Sequence, residues 1–153
     1  MKGEATMRWW PIALLVAATG CSDYPRDIDG TLDRIRETGV LRVGAAALPP
    51  EDQALARAYL ARLERATGAR ARVVSATPEY QIALLEDGRL DLVLGEFADD
   101  TPWLAEVAVV EPLSERVVGK RVVGLAPVAA NGENRWIMLL EREVREMRGG
   151  APR

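Results

Sequence analysis

Histidine is absent from this 153-residue chain, and cysteine and phenylalanine occur once each. Without histidine, the commonest general base and metal ligand at neutral pH is missing, which weighs against catalysis. With Cys21 alone, no intramolecular disulfide can form. Lysine stands only at Lys2 and Lys120, so arginine carries most of the positive charge. The arginines are interleaved with Glu and Asp along helix-like segments, as on a solvated face; an anion-binding surface is the alternative. A net charge of −3 gives no reason to expect nucleic acid or an anionic membrane surface as partner. Apolar residues make up 48% of the chain and charged ones 28%, the balance of one globular domain with a real core.

Lys2 and Arg8 precede a short apolar run, Trp9 to Ala18. It is about ten residues long, too short to span a bilayer but suited to a secretory signal. Met7 is an alternative start to Met1, because Met7 to Cys21 already makes a complete signal. The run ends in Ala18-Thr19-Gly20-Cys21, which resembles a bacterial lipobox with Ala18 in place of the usual leucine. Residues 1–20 are thus expected to be a lipoprotein signal peptide and Cys21 the lipidation site. A thioether-linked diacylglycerol and an amide-linked acyl chain would hold the protein firmly on a membrane. A chance cysteine within an ordinary signal or an uncleaved anchor is the alternative. The expected location is the periplasm or cell envelope, and Ser22 after the cysteine is compatible with outer-membrane sorting.

Residues 21–30 are polar, contain Pro25 and Gly30, and read as a tether. A single lobe is expected over 31–148, with 149–153 as a disordered tail. Thr31 is placed as an N-cap, Leu32 and Ile35 face inward, and Gly39 closes the first helix. Leu41 and Val43 lie on the first strand. A helix follows from Glu51 to about Thr67, with Leu55, Tyr59 and Leu63 facing inward and Ala58 and Ala66 beside them. Arg72–Ser75 reads as the second strand, Thr77-Pro78 as N-cap and first residue of a helix, and Leu90–Leu94 as the third strand. This βαβαβ pattern predicts a parallel sheet of order 2-1-3 with helices on both faces. Beyond it, Ala108–Leu113 and Val117–Val123 are β-rich, with Gly119-Lys120 placed as a two-residue type II′ hairpin turn. A last strand, Leu125–Ala129, precedes a helix from about Asn134 to Met147. The fold class is α/β: one three-layer lobe, extended by antiparallel strands and a closing helix.

Three stretches, TLDRIRETGVLRVG (31–44), TPEYQIALLEDGRLDLVLGEF (77–97) and APVAANGENRWIMLLERE (126–143), resemble the bacterial extracellular solute-binding proteins of family 3. The likeness covers about two thirds of the chain, all of it first lobe. In that family two α/β lobes close on a polar amino acid. The resemblance implies that Val107–Leu113 and Val123–Val128 correspond to hinge strands between lobes, here joined by only a few residues. The second lobe looks deleted rather than cut off.

In an open parallel sheet, ligands collect beyond the carboxyl ends of the strands. That rim contains Ala46, Thr77, Gly95, Glu96 and Thr101, the expected ligand-binding residues. The helix starting at Thr77 directs free N–H groups to the rim, as a carboxylate would require, although Thr77 capping only its own helix is the plainer reading. Glu96, Asp99 and Asp100, with Glu51 and Asp52 nearby, would make the rim acidic, suiting a cationic solute or a divalent metal; a solvated acidic loop is the alternative. The family's stacking aromatic after the first strand is replaced by Ala45-Ala46-Ala47-Leu48, and its carboxylate-gripping arginine after Thr101 by Pro102-Trp103-Leu104. No cofactor, catalytic residue or metal ligand is assigned. The expected function is membrane-anchored, solute-binding-like, linked to transport of small polar solutes through an ABC-type transporter, with weak or partner-assisted binding. The alternatives are an accessory envelope lipoprotein without ligand and, third, an enzyme. Some relatives of the fold are dehydratases or are fused to lytic transglycosylases, and both need parts not seen in this sequence.

Overall fold

Proline and glycine set the boundaries of most elements. The computed structural model describes residues 26–45, 47–98 and 105–149. Helix α1 (Thr31–Thr38) ends at Gly39, whose left-handed backbone (φ 67°) lets its N–H reach the Ile35 carbonyl. Strand β1 (Val40–Ala45), helix α2 (Pro50–Thr67), strand β2 (Arg70–Val74), helix α3 (Pro78–Glu86) and strand β3 (Leu92–Ala98) follow. Pro50 and Pro78 each open a helix, where a missing N–H costs nothing. β1 pairs in parallel with β2 on one side and β3 on the other, giving the expected order 2-1-3.

The chain then turns antiparallel. Strands β4 (Val107–Val109), β5 (Ser114–Val118) and β6 (Arg121–Ala130) complete a mixed sheet of order β2-β1-β3-β6-β4. β6 pairs with β3 along one edge and shares its other edge between β4 and β5. Gly119-Lys120 forms the two-residue turn between Val118 and Arg121, with positive φ at Gly119 only, as a type II′ turn requires. The segments read separately as 117–123 and 125–129 thus divide differently. The first holds the turn, and everything from Arg121 to Ala130 is one strand. Gly124 does not break it. A Cβ there would meet Pro112 at 2.7 Å and the Ser114 carbonyl at 2.9 Å, so glycine permits residues 112–114 to cross closely. β2 also begins at Arg70 rather than Arg72, and β3 continues to Ala98.

Helix α4 (Asn134–Gly149) closes the lobe. It packs with α1 and α2 on one face of the sheet, where Ile35, Tyr59, Leu63, Leu94, Trp136 and Leu140 share a core. α3 covers the other face with Ile82 and Leu85 against Val93, Phe97 and Val128. Two polar anchors sit within this packing. Trp136 donates Nε1–H to the Asp91 carbonyl at 2.7 Å, and Tyr59 donates its hydroxyl to the Leu140 carbonyl at 3.1 Å. Burial, and then the nearby Glu143 carboxylate, push the Tyr59 hydroxyl well above its ordinary pKa. On α2, Ala58 is exposed and Leu55 half-buried; Asp52 and Ala56 are buried instead.

The entry to the lobe differs from the sequence reading. Thr31 is the first residue of α1 rather than its cap, and the cap position is Gly30. The free N–H groups of this end are met by two carboxylates, one nearby in sequence and one far along the chain. Glu133 accepts from Asp29 N at 2.7 Å and Thr31 N at 2.8 Å. Asp27 accepts from Leu32 N and from Trp136 N, capping α1 and α4 with one carboxylate. Asp27 to Gly30, read as tether, is thereby bonded into the lobe. At the amino end of β3, the fully buried Asp91 carboxylate receives Arg42 N at 2.8 Å and ion pairs from Arg42 and Arg34.

Candidate functional site

The carboxyl ends of β1, β2 and β3 define one rim, and α2 and α3 both begin there. Thr77 occupies the N-cap position of α3 with extended backbone (φ −67°, ψ 150°) and is exposed. Its side chain makes no bond to its own helix. Gly95 is buried in β3, on the α3 side of the sheet, where a Cβ would stand 3.5 Å from the Phe97 ring. Glu96 pairs with Leu125 and so faces the α2 side. The sheet therefore separates Thr77 and Gly95 from Glu96. Ala46, Thr101 and Cys21 lie outside the described residues, as do Asp99, Asp100 and Trp103.

The polar cluster at the rim centres on Arg116, which the sequence reading did not single out. Ser114, Arg116, Glu96 and Leu125 share the α2 face because directly opposed residues of antiparallel strands point the same way. Arg116 Nη1 forms a close ion pair with Glu96 and lies 3.3 Å from Asp52 Oδ2. Ser114 donates its hydroxyl to Asp52 Oδ1 at 2.8 Å. The hydrogen bond that Arg116 donates to Glu96, and more distantly the charges of Asp52 and Glu51, raise the Arg116 pKa above its ordinary value. The expected acidic rim is thus present at Glu96 and Asp52, and one of the chain's own guanidinium groups sits between them. The i, i+2 spacing of Ser114 and Arg116 could have placed both on one face. Nothing local announces their partners, which lie 62 and 64 residues away in the case of Asp52.

Beside this cluster, a groove of about 290 Å³ opens between α2 and β2, lined by Ala45, Leu48, Gln53, Arg57, Val73 and Leu94. Apolar walls with a few polar groups suit a small organic ligand, and this volume is at the lower end for one. Gln53 is held in place by its bond to the Leu48 carbonyl at 3.0 Å. On the α3 side, Gln81 is fully buried and ties the loop after β2 to the helix, donating Nε2–H to the Ala76 carbonyl at 2.9 Å. Its Oε1 has no hydrogen-bond donor and lies 3.0 Å from where a Cβ on Gly44 would stand. Among the described residues no group of three or more acidic or cysteine side chains could hold a metal ion. No helix among them is long and apolar enough to cross a membrane.

No protein-family model matches the sequence, and no curated protein matches it. Solved structures match its shape. The arginine-bound form of domain 1 from TmArgBP, the arginine-binding protein of T. maritima, aligns with TM-score 0.64 and 18% identity. That match covers 74% of this chain and 98% of that domain. An ancestral cationic amino acid solute-binding protein aligns with TM-score 0.63 and 13% identity, over 78% of this chain and 94% of that one. An ancestral cyclohexadienyl dehydratase aligns with TM-score 0.61 and 11% identity, over 77% and 90%. The chain has the fold of a single solute-binding-protein lobe.

Proposed function

We propose that the chain is an extracytoplasmic, membrane-anchored solute-binding lobe that engages small polar, amino-acid-like solutes at its rim and serves their transport. One observation carries this reading most: the fold matches nearly the whole of an isolated lobe whose structure holds arginine. A second jaw is therefore not required for a lobe of this shape to seat a ligand. The rim supplies carboxylates at Asp52 and Glu96, an unused hydroxyl at Thr77 and a mostly apolar groove beside α2. Because one lobe leaves a solute half exposed, binding is weak unless a partner covers it. An ABC-type transporter or another envelope protein is that partner, and Cys21 carries the lipid that holds the lobe near it.

Dehydratase relatives raise the question of catalysis. The lack of histidine and the pairing of the rim carboxylates with Arg116 favour binding over proton transfer. The pairing also favours a second reading, an accessory envelope lipoprotein whose rim no longer takes a solute.

A thermal-shift screen of the full chain against amino acids and polyamines separates the two. A solute at ten times its dissociation constant stabilises by about 1.4 kcal/mol and raises the midpoint by several degrees. No shift with any compound, together with co-purification of a membrane protein, supports the accessory reading instead. Cys21→Ser is expected to move the protein from the membrane to the soluble fraction; continued membrane retention would contradict the anchor.

A further inference from the structure

The β5–β6 hairpin is fastened to the lobe at its root and unpacked at its tip. Val117, Val118 and Val122 are 74%, 52% and 38% exposed, and they lie on both faces of the ribbon. At the root, Arg116 reaches across the rim to carboxylates on two separate elements, Asp52 in the first turn of α2 and Glu96 on β3. Ser114 adds its hydroxyl to Asp52. Two carboxylates converging on one planar cation are the chemistry of a guanidinium receptor. Here the guanidinium belongs to the chain itself.

We infer that the hairpin carries an autoinhibitory strap: the Arg116 side chain is a tethered pseudo-ligand in the Asp52–Glu96 pair, where a free guanidinium or primary-amine solute binds once that side chain swings out. This rests on the reading of the rim as a solute site and adds the ligand's class and its control. Acidity at the rim does not carry the inference by itself. The seated guanidinium and the unpacked tip beyond it do.

The strap is releasable on energetic grounds. Arg116 is 40% exposed and its ion pairs are solvent-screened, so swinging its side chain out, with β5 and β6 still paired, is opposed by only about fivefold. The apparent affinity of a competing solute is reduced by the fraction of lobes that are open, so removing Arg116 tightens binding by about the same factor. A tethered group acts at an effective concentration in the millimolar range, so a free competitor is needed at about that level.

The test is calorimetric titration of the full chain, purified in detergent, with L-arginine and with L-glutamine as an uncharged comparison. R116Q is expected to bind L-arginine about fivefold more tightly than the unaltered chain. The double variant D52N/E96Q is expected to lose L-arginine binding. The Arg116 Nε–H resonance of the unaltered chain provides a readout that needs no variant. It is expected to move towards the position of free arginine as L-arginine is added. A fixed Nε–H resonance at saturating L-arginine, or R116Q binding no more tightly while folded by circular dichroism, would overturn the strap. Binding of L-glutamine without any binding of L-arginine would also overturn it, yet leave the solute-binding reading intact. Absence of binding to every form would remove both.

Discussion

Glu133→Ala tests how the lobe closes on its own N-terminal segment. The carboxylate is 1% exposed and accepts two backbone N–H groups, from Asp29 at 2.7 Å and Thr31 at 2.8 Å, more than a hundred residues away in sequence. Charge-assisted bonds of this kind contribute about 1.5–3 kcal/mol each, and the Thr31 N–H is left buried without a partner when the carboxylate goes. Water reaches the more exposed Asp29 side and recovers part of the loss. The net cost is about 3 kcal/mol, which lowers the midpoint of thermal unfolding by about 10 °C in a lobe of this size. Glu133→Gln keeps one acceptor oxygen and costs about half as much. Urea denaturation gives the free energies, and amide exchange gives the location. Faster exchange is expected at Asp29, Thr31 and Leu32, while β1 and β3 stay protected. A loss below about 0.5 kcal/mol in Glu133→Ala, or unchanged exchange at these amides, would refute the reasoning.

Three further outcomes follow from the packing. Asp91→Ala removes a buried carboxylate that holds Arg34, Arg42 and a strand N–H; both arginines are partly exposed, so urea denaturation is expected to show a loss of about 3 kcal/mol. Tyr59→Phe removes the hydroxyl that donates to the Leu140 carbonyl in addition to the helical bond there, costing about 1 kcal/mol. Because the folded-state pKa of Tyr59 is raised, the unfolded chain loses that proton first. Stability is then full below about pH 10 and falls above it by about 1.4 kcal/mol per pH unit, a slope that Tyr59→Phe is expected to remove in alkaline denaturation. Gly124→Ala drives a methyl into Pro112 and the Ser114 carbonyl, and a loss of about 2 kcal/mol is expected by thermal denaturation.

The parts of this fold that are local in sequence were readable in advance. The alternation of apolar strands with proline-led helices gave β1 to β3 and their order, and Gly119-Lys120 between paired valines marked the hairpin. What escaped depends on distant partners. Thr31 has the side chain of an N-cap, yet Glu133 and Asp27 perform that task because the fold brings α4 against α1. Gly124 resembles a strand break until Pro112 is seen lying over it. At the rim, the acidic character of Glu96 was evident from sequence. Its pairing with Arg116 was not, since that contact depends on the hairpin folding back along β6. The sequence places Thr77 at the start of α3, but that its hydroxyl does not serve the helix is visible only in the structure.

The central claim is that the rim takes a small polar solute. Titration of the isotopically labelled full chain with amino acids, followed by amide chemical shifts, tests it most directly. The account predicts saturable shifts confined to the rim, at Ala47–Asp52, Ala76–Tyr80, Gly95–Ala98 and the Ser114–Val118 strand that covers it, with L-arginine and amino acids like it. No saturable shift with any amino acid, or shifts clustered instead around Asp27, Asp91 and Glu133 at the opposite end of the sheet, would contradict it.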